Sequence, residues 1–230
     1  SLRKLYKIGH GPSSSHTMGP GFAAQYVKEK HQNATHYVVT LYNSLALTGK
    51  GHLTDAIIEQ TLAPKPVLFK FNVDVKHHPN YFVFEVFEKD TLIDTISVRS
   101  IGGGDILFDN EENHIDMIYP HKSFDEIKAY CQSENLNLFE YVKRFEGDDI
   151  VLFLDSIWQQ LQKTVEKGLK TEGVLPGDLK VQRKAKTLMD RAKATETEAQ
   201  RQNRLVSAYA FAASEENGSG GIIVTAPTCG

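Results

Sequence analysis

Cysteine is scarce in this sequence, with 2 in 230 residues. A disulfide scaffold is therefore excluded. Neither Cys131 nor Cys229 has the second cysteine or spaced histidine pair that a self-contained structural zinc site needs. Excess charge of either sign is also lacking: 26 basic residues stand against 29 acidic ones, a formal net charge of −3. That balance gives no pull toward a phosphate backbone and speaks against a nucleic-acid partner. No apolar run approaches the roughly 20 residues that span a bilayer, and the N-terminus has no apolar signal core, so no membrane role is expected. Internal repeats and low-complexity linkers are missing as well. What is there, 40% hydrophobic and 24% charged residues, is the mix of a globular protein. Reduced thiols and a cytoplasmic location are the corresponding expectation.

The first half reads as mixed α and β. His36 to Tyr42 (HYVVTLY) is rich in β-branched and aromatic residues, which favours a strand. Leu53 to Leu62 has helical spacing, with Ile57, Ile58 and Leu62 on one face. Val67 to Val75 alternates, placing Val67, Phe69, Phe71, Val73 and Val75 on one side. Tyr81–Phe87 and Leu92–Val98 alternate too, and Lys89-Asp90 between them predicts a hairpin turn. From about Ser123 helices take over. Ser123 and Glu126 have capping-box spacing, and Asp148 or Asp149 is placed to cap a helix stopping at Gly168. Gly173 to Gly177 is a breaker-rich loop. Val181 to about Ser214 reads as helix, Glu215 to Gly221 as a polar turn, and Ile222–Thr225 as a short strand. The expected fold class is α+β: an N-terminal antiparallel sheet with flanking helices, followed by an incomplete all-α segment. The expected domains are 1–145 and 146–230.

Three loops could hold a small anion. Gly11 to Thr17 (GPSSSHT) sets three serines, a histidine and a threonine before a helix-like stretch, and hydroxyls with free N–H groups at a helix start suit a carboxylate. An ordinary N-cap with solvated serines is the competing reading. Ser44 to His52 (SLALTGKGH) misses the phosphate-loop pattern at both Ser44 and Gly51, which leaves a loop offering Lys50, His52, Thr54 and Asp55; a plain surface loop competes. Ser100 to Gly104 (SIGGG) misses the dinucleotide fingerprint because Leu107 stands at the third glycine position. Its glycines allow either close ligand approach or a tight turn.

Taken together and in order, GPSSSHTMGP (11–20), SLALTGKGHLTD (44–55), SIGGG (100–104), TEGVLPG (171–177) and EENGSGGIIVTAPTCG (215–230) resemble the iron–sulfur-dependent L-serine dehydratases, also called L-serine ammonia-lyases. The likeness is to the single-chain form, in which a regulatory-type β domain precedes a helical catalytic domain, with this chain stopping inside the latter. It implies elimination of water from L-serine to give pyruvate and ammonia, a step of amino-acid catabolism that feeds gluconeogenesis. It further implies a [4Fe–4S] cluster on three thiolates and a homodimer. Carried over residue by residue, it makes His52 the base with His16 as runner-up. Ser13, Ser14, Ser15, Thr17, Lys50, Gly102 and Gly103 would bind substrate, and Cys229 would be a cluster ligand. With Cys131 outside the family's cluster motifs, this chain alone is expected to hold no cluster and to be inactive. The alternative is a non-catalytic amino-acid-sensing regulatory domain, since the β domain is also similar to the serine-binding domains of some phosphoglycerate dehydrogenases.

Overall fold

In the computed structural model, residues 1–74, 76–109, 117–191 and 195–225 are described. The elements run α1 (Leu2–Leu5), β1 (Lys7–His10), a π-helical turn (Ser14–Met18), α2 (Gly19–Lys30), β2 (His36–Tyr42), α3 (Asn43–Thr48), α4 (Thr54–Leu62), β3 (Val67–Asn72), β4 (Tyr81–Glu88), β5 (Thr91–Gly102) and β6 (Asp105–Phe108). Helices follow: α5 (Phe124–Ser133), α6 (Leu138–Glu146), α7 (Ile150–Lys170), α8 (Ala185–Asp190) and α9 (Glu198–Gly218), and then β7 (Ile222–Thr225). The α+β reading holds.

Five strands form one sheet in the order β3-β2-β4-β5-β6. Its core forms on one face, where Ala23, Val27, Ile58 and Leu62 of α2 and α4 pack on Tyr37, Val39, Phe82, Phe84 and Val98. The turn at Lys89-Asp90 joins β4 to β5 as the alternation predicts, and Lys89 takes a left-handed φ of 53° there. One pair departs from the expected antiparallel sheet: β3 runs parallel to β2, Tyr37 opposite Val67. The cause is the connection, because α3 and α4 lie between these strands and return the chain in the same direction. At this sheet edge the alternating face outruns its cover, leaving Phe71 46% and Val73 58% exposed. Val75 lies outside the described residues.

The helical half departs from expectation in several places: α7 runs on through Gly168 to Lys170, and the stretch read as helix from Val181 holds two helices, α8 and α9. Helix α6 went unread, although Asn137 and Glu140 form a reciprocal capping box at its start. Asp149 occupies the N-cap of α7 without capping it; its carboxylate pairs with Arg3 at 2.9 Å, while Asp148 pairs with Lys143 at 2.8 Å. Helix α9 runs through Glu215 and Glu216 to Gly218 instead of ending near Ser214. Those two glutamates are 4% and 1% exposed, which an isolated polar turn does not permit. Arg183 and Lys167 each reach Glu216 at 2.8 Å. Glu215 Oε1 accepts the N–H groups of Lys184 and Ala185 at the start of α8.

The last strand finds an unforeseen partner. β7 pairs antiparallel with β1, Lys7 opposite Thr225 and His10 opposite Ile222. Thr164 of α7 donates to the Ile222 carbonyl at 3.0 Å. This ladder brings the end of α9 against the residues that follow β1.

Candidate functional site

The serine loop is held by its own first hydroxyl and carbonyl. Ser13 is the N-cap, and its side chain accepts the His16 N–H at 3.1 Å. The Ser13 carbonyl accepts from both Thr17 and Met18 at 3.0 Å. The second of these is the wide i→i−5 bond of a π turn, a geometry frequent at functional sites. It projects the His16 ring toward the Ser44–Thr54 loop.

There the ring meets two hydroxyls and a second imidazole. His16 Nδ1 lies 2.9 Å from Ser15 Oγ, and Nε2 lies 2.8 Å from Ser44 Oγ. The His16 and His52 ring centroids are 4.8 Å apart at 39°. Burial, and secondarily the neighbouring His52, hold the His16 pKa below its ordinary 6.5, so His16 is neutral at pH 7. His52 Nδ1 sits 3.0 Å from the Thr48 carbonyl. A carbonyl only accepts, so in a neutral His52 the proton is on Nδ1 and the basic lone pair is on Nε2.

Backbone geometry frames both contact points. Asn43, just before Ser44, has φ 49°, and Leu53, just after His52, has φ 58°. Neither is glycine, and left-handed backbone at such residues concentrates at functional sites. The Asn43 amide is fixed by the β3–β4 loop: it donates to the Asp74 carbonyl and accepts from the Asp74 N–H, each at 2.7 Å. From the helical half, the end of α9 closes on the serine loop. Asn217 Nδ2 donates to the Pro12 carbonyl at 3.4 Å, and His10 Nδ1 donates to the Gly220 carbonyl at 2.8 Å. A Cβ on Gly220 would stand 2.9 Å from Leu53 Cδ1.

The expected site residues separate into groups. Ser13, Ser15, His16, Thr17 and His52 come together through the bonds above, and Ser14 begins the same turn, its carbonyl accepting from Gly19. Lys50 holds its ammonium 5.6 Å from the centre of the Phe71 ring. The glycine segment makes a tight turn: Gly103 and Gly104 have φ of 60° and 82° between the paired Gly102 and Asp105, the two positive values that a two-residue type I′ hairpin demands. Gly104 lies beside Lys7, Phe22 and Met18, and Ser100 abuts Gly19. This segment therefore touches the end of the π turn at Met18 and Gly19. Cys229 lies outside the described residues, and Cys131 is a buried free thiol in α5. Among the described residues no three His, Cys, Asp or Glu side chains are grouped to hold a metal ion. No helix among them is long and apolar enough to cross a membrane. Sequence reasoning gave no role to Ser44 or Asn217, and offered Thr54 only as one of the loop residues beside Lys50 and His52. All three lie inside motifs that carried the resemblance.

Residues 1–66 match the family model described as serine dehydratase beta chain. L-serine dehydratase 1 of Escherichia coli is 31% identical, with 100% of this chain and 63% of the relative covered. The L-serine dehydratase of Haemophilus influenzae is 30% identical over the same shares, and that of Streptomyces coelicolor is 27% identical, again covering 100% and 63%. The chain thus spans about 63% of the length of the curated relatives it matches. Along its whole length the chain is similar to these L-serine dehydratases, and its first 66 residues match the model of their β chain.

Proposed function

We propose that this chain carries the substrate-binding and proton-abstracting residues of an L-serine dehydratase, which converts L-serine to pyruvate and ammonia. The observation that carries this reading is the His16–His52 pair ringed by serine hydroxyls. The substrate carboxylate is held by Ser14 and Ser15 hydroxyls and by the free N–H groups that open the π turn. His52 Nε2 takes the α-proton, for which a neutral imidazole near pH 7 is suited. The β-hydroxyl leaves as water with the proton that His52 took, and the aminoacrylate so formed tautomerises to an imine, which water hydrolyses to pyruvate and ammonia. His16, tied at both ring nitrogens, keeps the carboxylate end and His52 in register.

The resemblance also implies a [4Fe–4S] cluster, which takes at least three thiolates. Two cysteines, one of them buried in α5, do not fit that requirement.

The test follows the imidazole NMR signals of this chain while L-serine is added. His16 and His52 should both shift, and Ser15→Ala should weaken binding by about tenfold, the effect of losing one hydrogen bond to a charged group. His52→Ala should leave serine affinity within about threefold, because a base adds little to ground-state binding. In a full-length protein that turns over L-serine the same change should lower kcat by about 100-fold or more. Histidine signals unmoved by millimolar L-serine would sink the reading. Serine binding that depends strongly on His52 would favour an amino-acid sensor instead.

A further inference from the structure

The two histidine-bearing segments are joined by a reciprocal pair of threonine hydroxyls. Thr17, directly after His16, donates Oγ1–H to the His52 carbonyl at 2.6 Å. Thr54, two residues beyond His52, donates to the His16 carbonyl. Each threonine thus holds the backbone of the histidine on the other segment. Both are enclosed, at 1% and 0% exposure, so water does not compete for these bonds. The Thr17 hydroxyl additionally accepts the Ser13 N–H at 3.2 Å. Its proton and one lone pair are thereby committed, and it does not face a substrate.

We propose that Thr17 and Thr54 are positioning residues: their crossed hydroxyl-to-carbonyl bonds fix the distance and facing of the His16 and His52 rings. The inference rests on the reading of that pair as the proton-handling site. One such bond would leave a hinge; two, running in opposite directions a few residues apart, remove both sliding and rotation. The left-handed backbone at Leu53, φ 58° and ψ 29°, turns the chain so that the His52 carbonyl and the Thr54 side chain both meet the serine loop. Serine loop and GKGH loop come from opposite sides of α2 in sequence. No covalent or strand pairing holds them in register, which is why the two buried hydroxyls carry that task. The resemblance gave Thr17 a place among substrate-binding residues; the geometry points to a place behind the histidines.

The test needs neither serine nor turnover. Thr17→Val and Thr54→Val keep shape and remove the hydroxyl, and Thr17→Ser and Thr54→Ser keep the hydroxyl. The His16 midpoint is read by imidazole NMR titration of each variant. Once the rings part, His16 gains water and loses its imidazole neighbour. Its midpoint should rise by about 0.5–1 unit in each valine variant, roughly a 3–10-fold change in proton affinity, and return in the serine variants. The proposal falls if folded valine variants titrate like the parent, or if the serine variants shift as far as the valine ones. Should one position not tolerate valine, the other carries the same comparison. Absence of serine binding would break the dehydratase reading and leave this result standing, and the reverse also holds.

Discussion

Strand β4 buries four of its eight residues, Tyr81, Phe82, Phe84 and Val86, whereas α7 buries four of twenty-one, Ile150, Ile157, Thr164 and Gly168. The sheet half closes a core of its own between one sheet face and two helices. The helical half is held along a narrow line and by polar ties. Outside that line Leu152 is 74% and Trp158 58% exposed. The polar ties are the buried Glu216 with Arg183 and Lys167, and the Arg204–Glu196 pair at 2.8 Å. The lesson concerns the site. Both histidines stand on elements of the half that packs itself, and among the described residues the helical half meets the serine loop through the end of α9.

The contrast breaks most sharply at single residues. Phe84→Ala should cost about 3–5 kcal/mol, whereas Trp158→Ser should stay within about 0.5–1 kcal/mol; urea melts of the two variants compare them directly. Equal losses would mean that the helical half buries its tryptophan in solution.

Next in size is Glu216→Gln, which strands Arg183, whose side chain is 8% exposed, and should cost about 3 kcal/mol. Burial alone would raise the Glu216 pKa, but the hydrogen bonds and charges of Lys167 and Arg183 outweigh it and hold the carboxyl below its ordinary 4.5. A carboxyl depressed on folding adds stability that is fully present above the unfolded value and is lost as pH falls through the folded one. Acid should therefore weaken the parent progressively below about pH 4.5, with part of that slope missing in Glu216→Gln. Identical acid slopes in thermal melts would remove Glu216 from the account.

The smallest effect belongs to the line between α7 and α9. A Cβ on Gly168 would lie 2.3 Å from the Ala212 carbonyl oxygen. Alanine gains about 1 kcal/mol of helix propensity over glycine, yet the clash is with backbone and outweighs it. Gly168→Ala should thus lower stability by a net of about 1 kcal/mol. A gain in melting temperature would show that the two helices separate at little cost.

Much of the sheet half was legible because its signals are local. His36–Tyr42 is a strand from end to end, and the β4–β5 alternation with Lys89-Asp90 gives its hairpin. Glycines at 102–104 left turn and ligand readings open; the dihedral angles show the turn and leave the ligand reading as it was. In the helical half, local polarity misled at Glu215 and Glu216, because their partners Arg183, Lys167 and the start of α8 are distant in sequence.

By itself the sequence determined the element types, the α+β class and, through ordered motifs, the likeness to L-serine dehydratases. Periodicity and turn chemistry are properties of neighbours, so one chain segment suffices to show them. Tertiary structure alone decided that β3 runs parallel to β2, that β1 pairs with β7, and that the Lys50 ammonium sits by the Phe71 ring. It also decided that Thr17 and Thr54 cross-tie His16 and His52. Each of these depends on which buried donor meets which acceptor across a long loop. That choice is made by the packing of the whole core and leaves no periodic trace in the chain.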